Sequence, residues 1–453
     1  MNSEAIYAKL PLWMQEVAIN LVGWNVQRRR YGAAYEAVEK EIFRRGEFSS
    51  GELRVWQTAQ LSQHLRVGSS VPYWSERFKD YGINLDGDPW EEYAKFPILT
   101  KSEVVENTGR LVNRGLEGQL LKGKTSGTTG AGLVFYETQR CEQERWATWW
   151  RYRSWHGIHR GLGCAYFGGR SVVPLTQTEP PYWRWVSSSS QLIFSSYHLN
   201  EATANLYLEA LRDRSLVWIH GYPSVLSLFA SLVGQSARKL GIKYITTGAE
   251  SLLESQREKV EAAFGARVIE HYGQAESVAN ISQDLEGRLV VDEDFGLTEF
   301  ESVGGGEYRI IGTNWLNPGF PLFRYEVGDI ATLCEHRPMP DGSPRYIEAI
   351  DGRREDYILL HDGTAIGRLD HILKDFVEIR EAQIYQRKRG EIEFRVVQGA
   401  DYSDATESRL LKSSRKRLGD DILISIRYFD CLERTKTGKL RFVISELGEG
   451  KLK

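Results

Sequence analysis

The chain has 453 residues, enough for two or three domains with sizeable cores. Its 58 Lys and Arg nearly balance 61 Asp and Glu, for a formal charge of −3 without a long basic run. Nothing in that balance calls for nucleic acid or an anionic membrane as a standing partner. The four cysteines, Cys141, Cys164, Cys334 and Cys431, lie far apart and form no CxxC. That spacing argues against a disulfide framework and a thiolate zinc site, and fits a reducing cytoplasm.

Residues 1 to about 100 read as helices with aromatic faces (Trp13, Trp24, Tyr31, Tyr35, Trp56, Tyr73, Trp74). The first apolar run, Leu10 to Trp24, is broken by Gln15, Glu16 and Asn20, short of the ~20 apolar residues that a membrane span needs. It is expected to be an amphipathic helix packed on the protein, without stable membrane insertion; attachment to a membrane surface is the alternative.

Thr125-Ser126-Gly127-Thr128-Thr129-Gly130-Ala131-Gly132 is a loop sequence. Glycines let several N–H groups converge and the hydroxyls add donors, which suits a polyanion such as the phosphates of a nucleotide; a plain surface turn is the alternative. Gly118 to Thr125 also satisfies the Walker A spelling, the signature of a phosphotransferase that releases ADP. The context is wrong for it, because no buried strand is expected before the motif and a second glycine-rich loop follows.

Next come a strand at Val134-Phe-Tyr and a Trp-rich helix from Gln139 to Trp155, whose tryptophans suit a core better than a ligand cage. Arg170, behind two glycines, could clamp a carboxylate or phosphate or simply close a turn. His198, His220 and Tyr222 fall at strand ends or turns, where a structural role is the default for each histidine. Lys243 to Thr247 reads as a strand, Gly248-Ala249-Glu250 as a turn, and Ser251 to Glu254 as a capped helix start. Arg267 to Glu270 reads as the next parallel strand, running into Tyr272-Gly273-Gln274-Ala275-Glu276. Ligands of open α/β sheets sit beyond such strand ends. Glu276 could there hold Mg²⁺ while Tyr272 packs on a base, or could be an ordinary surface carboxylate. Asp329, after Gly328, is suited to accept both hydroxyls of a ribose. Asp351 to Asp356 is a charged, glycine-led linker, and the last ~100 residues alternate strand and helix up to a basic glycine turn ending in Lys439-Leu-Arg441.

Six motifs in order, Thr-Ser-Gly-Thr-Thr-Gly (125–130), Gly-Ala-Glu (248–250), Tyr-Gly-x-x-Glu (272–276), Arg-Tyr-x-x-Gly-Asp (324–329), Gly-Arg-x-x-Asp (352–356) and Arg-Thr-x-x-Gly-Lys (434–439), resemble the adenylate-forming superfamily of acyl-CoA synthetases. Within it the chain resembles the phenylacetate–CoA ligase group. Leu10-Pro-Leu-Trp-Met-Gln, Phe96-Pro-Ile-Leu-Thr-Lys101, Phe167-Gly-Gly-Arg170, Ser195-Ser-Tyr-His-Leu199 and Gly221-Tyr-Pro-Ser224 further resemble the CapK-like branch linked with capsular polysaccharide biosynthesis.

The resemblance implies a mixed α/β fold: a large N-terminal domain of packed α/β subdomains (a helical part at 1–100, an adenylation core at 101–352), a hinge at 353–356 around Glu355, and a small mobile α+β lid at 357–453. It implies that Ser126, Gly127, Thr128, Thr129 and Gly130 hold the ATP phosphates and that Gly248, Ala249 and Glu250 line the adenine. Tyr272 and Gly273 would lie by the base, Asp329 and Arg353 would bind ribose, and Glu276 would hold Mg²⁺. Lys439, Glu276 and Thr128 would be catalytic, and Arg170, His198, His220 and Tyr222 are candidates for the acid pocket. The implied reaction activates a small carboxylic acid, an aromatic one included, as acyl-AMP with loss of pyrophosphate, then passes the acyl group to CoA, or to an amine or hydroxyl acceptor such as a sugar. A homodimer would follow family precedent. Two positions depart from the superfamily pattern: Gly132-Leu133 replaces a Pro-Lys pair, and Ala275 replaces a threonine.

Overall fold

The computed structural model describes residues 6–124, 133–168, 172–174, 176–353, 358–361, 365–366, 369–373, 376, 378–434 and 440–447. The chain forms two compact units, each assembled from separated segments. The first comprises residues 1–24, 161–270 and 352–453, and the second residues 25–160 and 271–351.

The first unit is built on a six-stranded sheet in the order Trp183–Val186, Gln191–Phe194, Cys164–Phe167, Trp218–Gly221, Tyr244–Thr247, Val268–Ile269. Only the first pair is antiparallel. Helices Ala204–Asp213, Pro223–Val233 and Glu254–Phe264 belong to the same unit, with Phe167, Phe194, Tyr207, Phe229 and Phe264 in one buried cluster. The helix expected to start at Ser251 begins at Glu254, because the Gln256 side chain accepts the Leu253 N–H at 3.1 Å and fixes the first turn there.

The C-terminal segment of this unit carries a four-stranded sheet, Leu423–Tyr428, Glu391–Gln398, Ile379–Lys388, Val443–Ser445, with helix Asp404–Leu418. Its core is separate, around Ile384, Phe394, Val396 and Leu410. Among the described residues, four side-chain contacts tie it to the larger sheet region. Lys259 donates to the Ile379 carbonyl at 2.9 Å, Arg380 meets Glu201 at 3.0 Å, Arg434 donates to Ser224 at 3.0 Å, and Glu250 accepts the Leu440 N–H at 3.1 Å.

The N-terminal helix, Leu12–Arg30, forms as expected but presents the opposite side to the protein. Gln15, Ile19 and Gly23 make its inward stripe. Gln15 accepts from Arg184 at 2.6 Å, and Ile19 packs on the cluster of Val172, Val173, Val186 and Ile193. A methyl group on Gly23 would come within 2.4 Å of Val186 Cγ1, so only glycine permits this approach.

In the second unit a seven-stranded antiparallel-rich sheet runs Leu297–Gly304, Glu307–Thr313, Tyr325–Leu333, Tyr346–Arg353, Leu289–Val291, Asn280–Gln283, His271–Gly273. The strand carrying Asp329 is held from outside the sheet. Leu99 bridges Tyr325 in parallel, donating to the Arg324 carbonyl and accepting from Glu326, each at 2.9 Å, while Phe96 stacks on Phe323 at 4.9 Å. Thr100 then caps the following helix, with Glu103 returning the bond. Helix Gln139–Trp155 has the bounds read from the sequence, and Thr138 caps it by accepting the Cys141 N–H at 3.1 Å.

In this unit His64 is buried and His271 half-buried, and desolvation pulls each down to about 3 from 6.5. Both therefore fold neutral. Their stabilising effect is complete above pH 6.5, where the unfolded chain is also neutral, and is lost as pH falls toward 3. Urea unfolding is expected to show a stability loss of about 1.4 kcal/mol per pH unit per histidine below 6.5. Equal stability at pH 7 and pH 5 would contradict this.

Candidate active site

Strand Leu120–Lys124 pairs antiparallel with Val134–Thr138, with Lys124 opposite Val134. Residues 125–132, which include Ser126, Gly127, Thr128, Thr129 and Gly130, lie outside the described residues. The flanking hairpin disposes of the Walker A reading. Residues 120–124, the middle of that motif, are extended strand rather than a phosphate loop. Gly123 has a packing reason, since a Cβ there would fall 2.2 Å from the Phe135 ring.

In the second unit the structure gathers Tyr272, Gln274 and Asp329. The Tyr272 hydroxyl donates to Asp329 Oδ2 at 2.7 Å, and Gln274 Nε2 donates to the same oxygen at 2.6 Å and to the Tyr272 hydroxyl at 2.7 Å. Burial and the neighbouring Asp329 carboxylate push the Tyr272 hydroxyl well above its ordinary value, so it remains a donor throughout the physiological range. Gly328 has φ of +85°, which places Asp329 on a turn of the strand that a residue with a Cβ would strain to make. Gly273 lies in the strand paired with Asn280; a Cβ there would meet Asn280 Oδ1 at 2.8 Å.

Glu276 is buried on the turn just beyond this cluster. That turn is anchored from three sides. Arg145 donates to the Ala275 carbonyl at 3.1 Å and to Ser277 Oγ at 3.0 Å, Asn314 donates to the Glu276 carbonyl at 3.1 Å, and Gln274 accepts the Ser277 N–H. Arg145 is itself held by both oxygens of Glu137 at 2.7 and 2.8 Å. Among the described residues no group of three His, Cys, Asp or Glu could hold a metal. A single buried carboxylate fits Mg²⁺ bound mainly through substrate phosphates and water, the usual way proteins take this ion.

Gln274, Arg145 and Glu137 were not singled out from the sequence. Gln274 occupies a variable position of Tyr-Gly-x-x-Glu, where polarity alone is no signal. The Arg145 and Glu137 pair is separated by a strand-to-helix corner, so no periodicity links it to residue 276.

In the first unit, Gly248, Ala249 and Glu250 follow strand Tyr244–Thr247, with Ala249 at φ +67°. The Glu250 carboxylate accepts the Ser224 N–H at 3.2 Å with one oxygen and the Leu440 N–H at 3.1 Å with the other. His220 lies in strand Trp218–Gly221 with Nδ1 2.8 Å from Thr246 Oγ1, and Tyr222 immediately precedes helix Pro223–Val233. His198 has Nδ1 2.7 Å from Ser195 Oγ and stacks on Tyr182 at 4.9 Å. Arg353 ends strand Tyr346–Arg353. Arg170, Glu355 and Lys439 lie outside the described residues. Of their described neighbours, Arg434 bridges Leu440 and pairs with Glu381.

Comparison with solved structures finds the same fold in an acyl-CoA ligase. The chain superposes on 2-hydroxyisobutyryl-CoA ligase in the postadenylation state with R3-HIB-AMP at a TM-score of 0.65, with 17 % identity, covering 93 % of this chain and 92 % of that one. A second structure of that ligase, with 2-HIB-AMP, gives a TM-score of 0.64 at 17 % identity over 86 % of this chain and 89 % of that one. The chain has the mixed α/β fold of the adenylate-forming ligases, with a separate C-terminal domain.

More particularly, the chain is similar to CapK. Residues 358–446 match the family model of the CapK C-terminal domain, and the chain is 24 % identical to Protein CapK of Staphylococcus aureus, covering 98 % of its own length and 99 % of that protein.

Proposed function

We propose that the protein is an ATP-dependent ligase that activates a small carboxylic acid as acyl-AMP and transfers the acyl group to CoA. The observation that carries this reading is the Tyr272, Gln274 and Asp329 cluster, followed within the same turn by the anchored Glu276. Two donors on Asp329 Oδ2 fix the plane of the carboxylate, which orients it toward a cis-diol such as ribose. Arg353 is proposed as the second ribose contact, and Gly248 to Glu250 as the adenine lining.

A carboxylate approaching an anionic phosphate is repelled, so the site has to supply positive charge where negative charge develops. Magnesium, held by Glu276 and the phosphates, would supply part of that neutralisation. Lys439 is proposed to supply the rest at the α-phosphate, with the 126–130 backbone and Thr128 binding the leaving pyrophosphate. The acid oxygen forms its bond to the α-phosphorus as the bond from that phosphorus to the bridging oxygen breaks. In the second step the acceptor attacks the acyl carbon and AMP leaves.

Rotation of the C-terminal domain about Glu355 is proposed between the two steps. It would have to break the Lys259, Arg380, Arg434 and Glu250 contacts described above. Arg170, His198, His220 and Tyr222 remain the proposed acid pocket. An amine or hydroxyl acceptor, such as an amino sugar, is the second reading, because the cluster at Asp329 concerns the nucleotide and leaves the acceptor open. Incubation with ATP and a panel of acids, with and without CoA, tests the proposal by nucleotide and product mass. AMP with pyrophosphate supports it, and ADP as the only nucleotide product would refute it.

A further inference from the structure

Eight of the seventeen large apolar side chains exposed among the described residues lie between Ile6 and Trp24. Trp13, Val17, Leu21 and Trp24 follow helical spacing on one side of the Leu12–Arg30 helix, with Met14 and Val22 beside them; Trp13 is 65 % and Leu21 60 % exposed. So large a contiguous apolar patch marks an interaction surface.

The helix cannot roll to hide it. Asn20 on the inward side donates to the Trp185 carbonyl and accepts the Ser187 N–H, each at 2.9 Å, and Gln15 is bound to Arg184. Turning the apolar side inward would bury these polar groups' partners without replacement.

We propose that this face docks the protein onto the headgroup region of an anionic lipid bilayer, with the helix lying parallel to the surface. Three observations select this occupant. Trp13 and Trp24 stand near the two ends of the patch, about 16 Å apart along the axis, where indoles favour the membrane interface. Exposed cations flank it, Lys9 before and Arg28 after, with Glu16 the one exposed acidic residue between them. A second copy of the chain fits poorly, since antiparallel pairing that set Trp13 against Trp24 would also set Lys9 against Arg28, and parallel pairing would set Arg28 against Arg28. No described helix is long and apolar enough to cross a membrane, so the contact is superficial.

The test is co-sedimentation of the full chain with vesicles of phosphatidylcholine alone and of phosphatidylcholine mixed with phosphatidylglycerol. Binding is expected to the mixed vesicles, to weaken with added salt, and to fall roughly 100-fold in V17E/L21E and about tenfold in W13A/W24A. All four side chains are exposed, so thermal unfolding of both variants should match the parent. Absence of binding to the mixed vesicles, or full binding by both variants, overturns the proposal. A lipid-free dimer in sedimentation velocity that V17E/L21E disperses overturns it in favour of a second copy. Capture by an acidic protein without any vesicle binding overturns it in favour of that partner.

Discussion

Replacing Lys439 with alanine is expected to abolish acid-dependent exchange of pyrophosphate into ATP, while thioester formation from a preformed acyl-adenylate largely survives. The lysine's proposed work belongs to the first step alone, where charge accumulates as pyrophosphate leaves. Loss of one such electrostatic contact commonly costs about 3 kcal/mol of transition-state stabilisation, a rate loss of ~100- to 1,000-fold. On either side of residues 435–439, Arg434 is bound to Ser224 and Glu381, and the Leu440 N–H to Glu250. Unchanged exchange in the variant would remove the lysine from the mechanism, while equal loss in both half-reactions would point to a general disturbance of the C-terminal domain.

Substituting Asp329 with alanine is expected to weaken ATP binding at least ~100-fold with little effect on the acid, because the two charge-assisted hydrogen bonds proposed to ribose hydroxyls, each worth about 1.5–3 kcal/mol, would disappear together. The variant also leaves the Tyr272 hydroxyl and the Gln274 amide without their shared acceptor, so a modest fall in thermal stability should accompany it. Asp329→Asn separates the two effects. It keeps an acceptor for Tyr272 and Gln274 but removes the charge that strengthens the ribose contact. Calorimetry showing parental ATP affinity in the alanine variant would rule out the ribose assignment, whatever its stability.

The turn that carries Glu276 is held by its surroundings. Arg145 fixes the backbone on either side of Glu276 while Glu137 neutralises it. Such a pair contributes more to geometry than to net stability, because burying both charges costs nearly what their attraction returns. Ala275, where the resembled superfamily has threonine, offers its carbonyl to this arginine, so the anchoring of the turn does not depend on a side-chain hydroxyl at that position.

Local chemistry was legible in the sequence. Helix Gln139–Trp155 has the bounds read from the sequence, and strand Tyr244–Thr247 with its following glycine turn lies where pattern placed it. These features are set within one or two turns of chain, by capping groups, β-branched runs and residues that tolerate special backbone angles. The order of the short motifs likewise pointed to the fold, since it needs only the linear sequence.

Tertiary structure alone decided the rest. Both compact units draw on segments far apart in the chain, which no local pattern announces. Gly123 belongs to a hairpin packed by Phe135 although its spelling suggested a phosphate loop. Gln15 and Asn20 face inward because residues 184–187 bring matching donors and acceptors to them, and the tryptophans of the same helix are left facing outward. Sequence fixes which side chains a helix has and how they are spaced. Which side is buried depends on the polar partners and packing surface that distant segments deliver, and those exist only once the chain has folded.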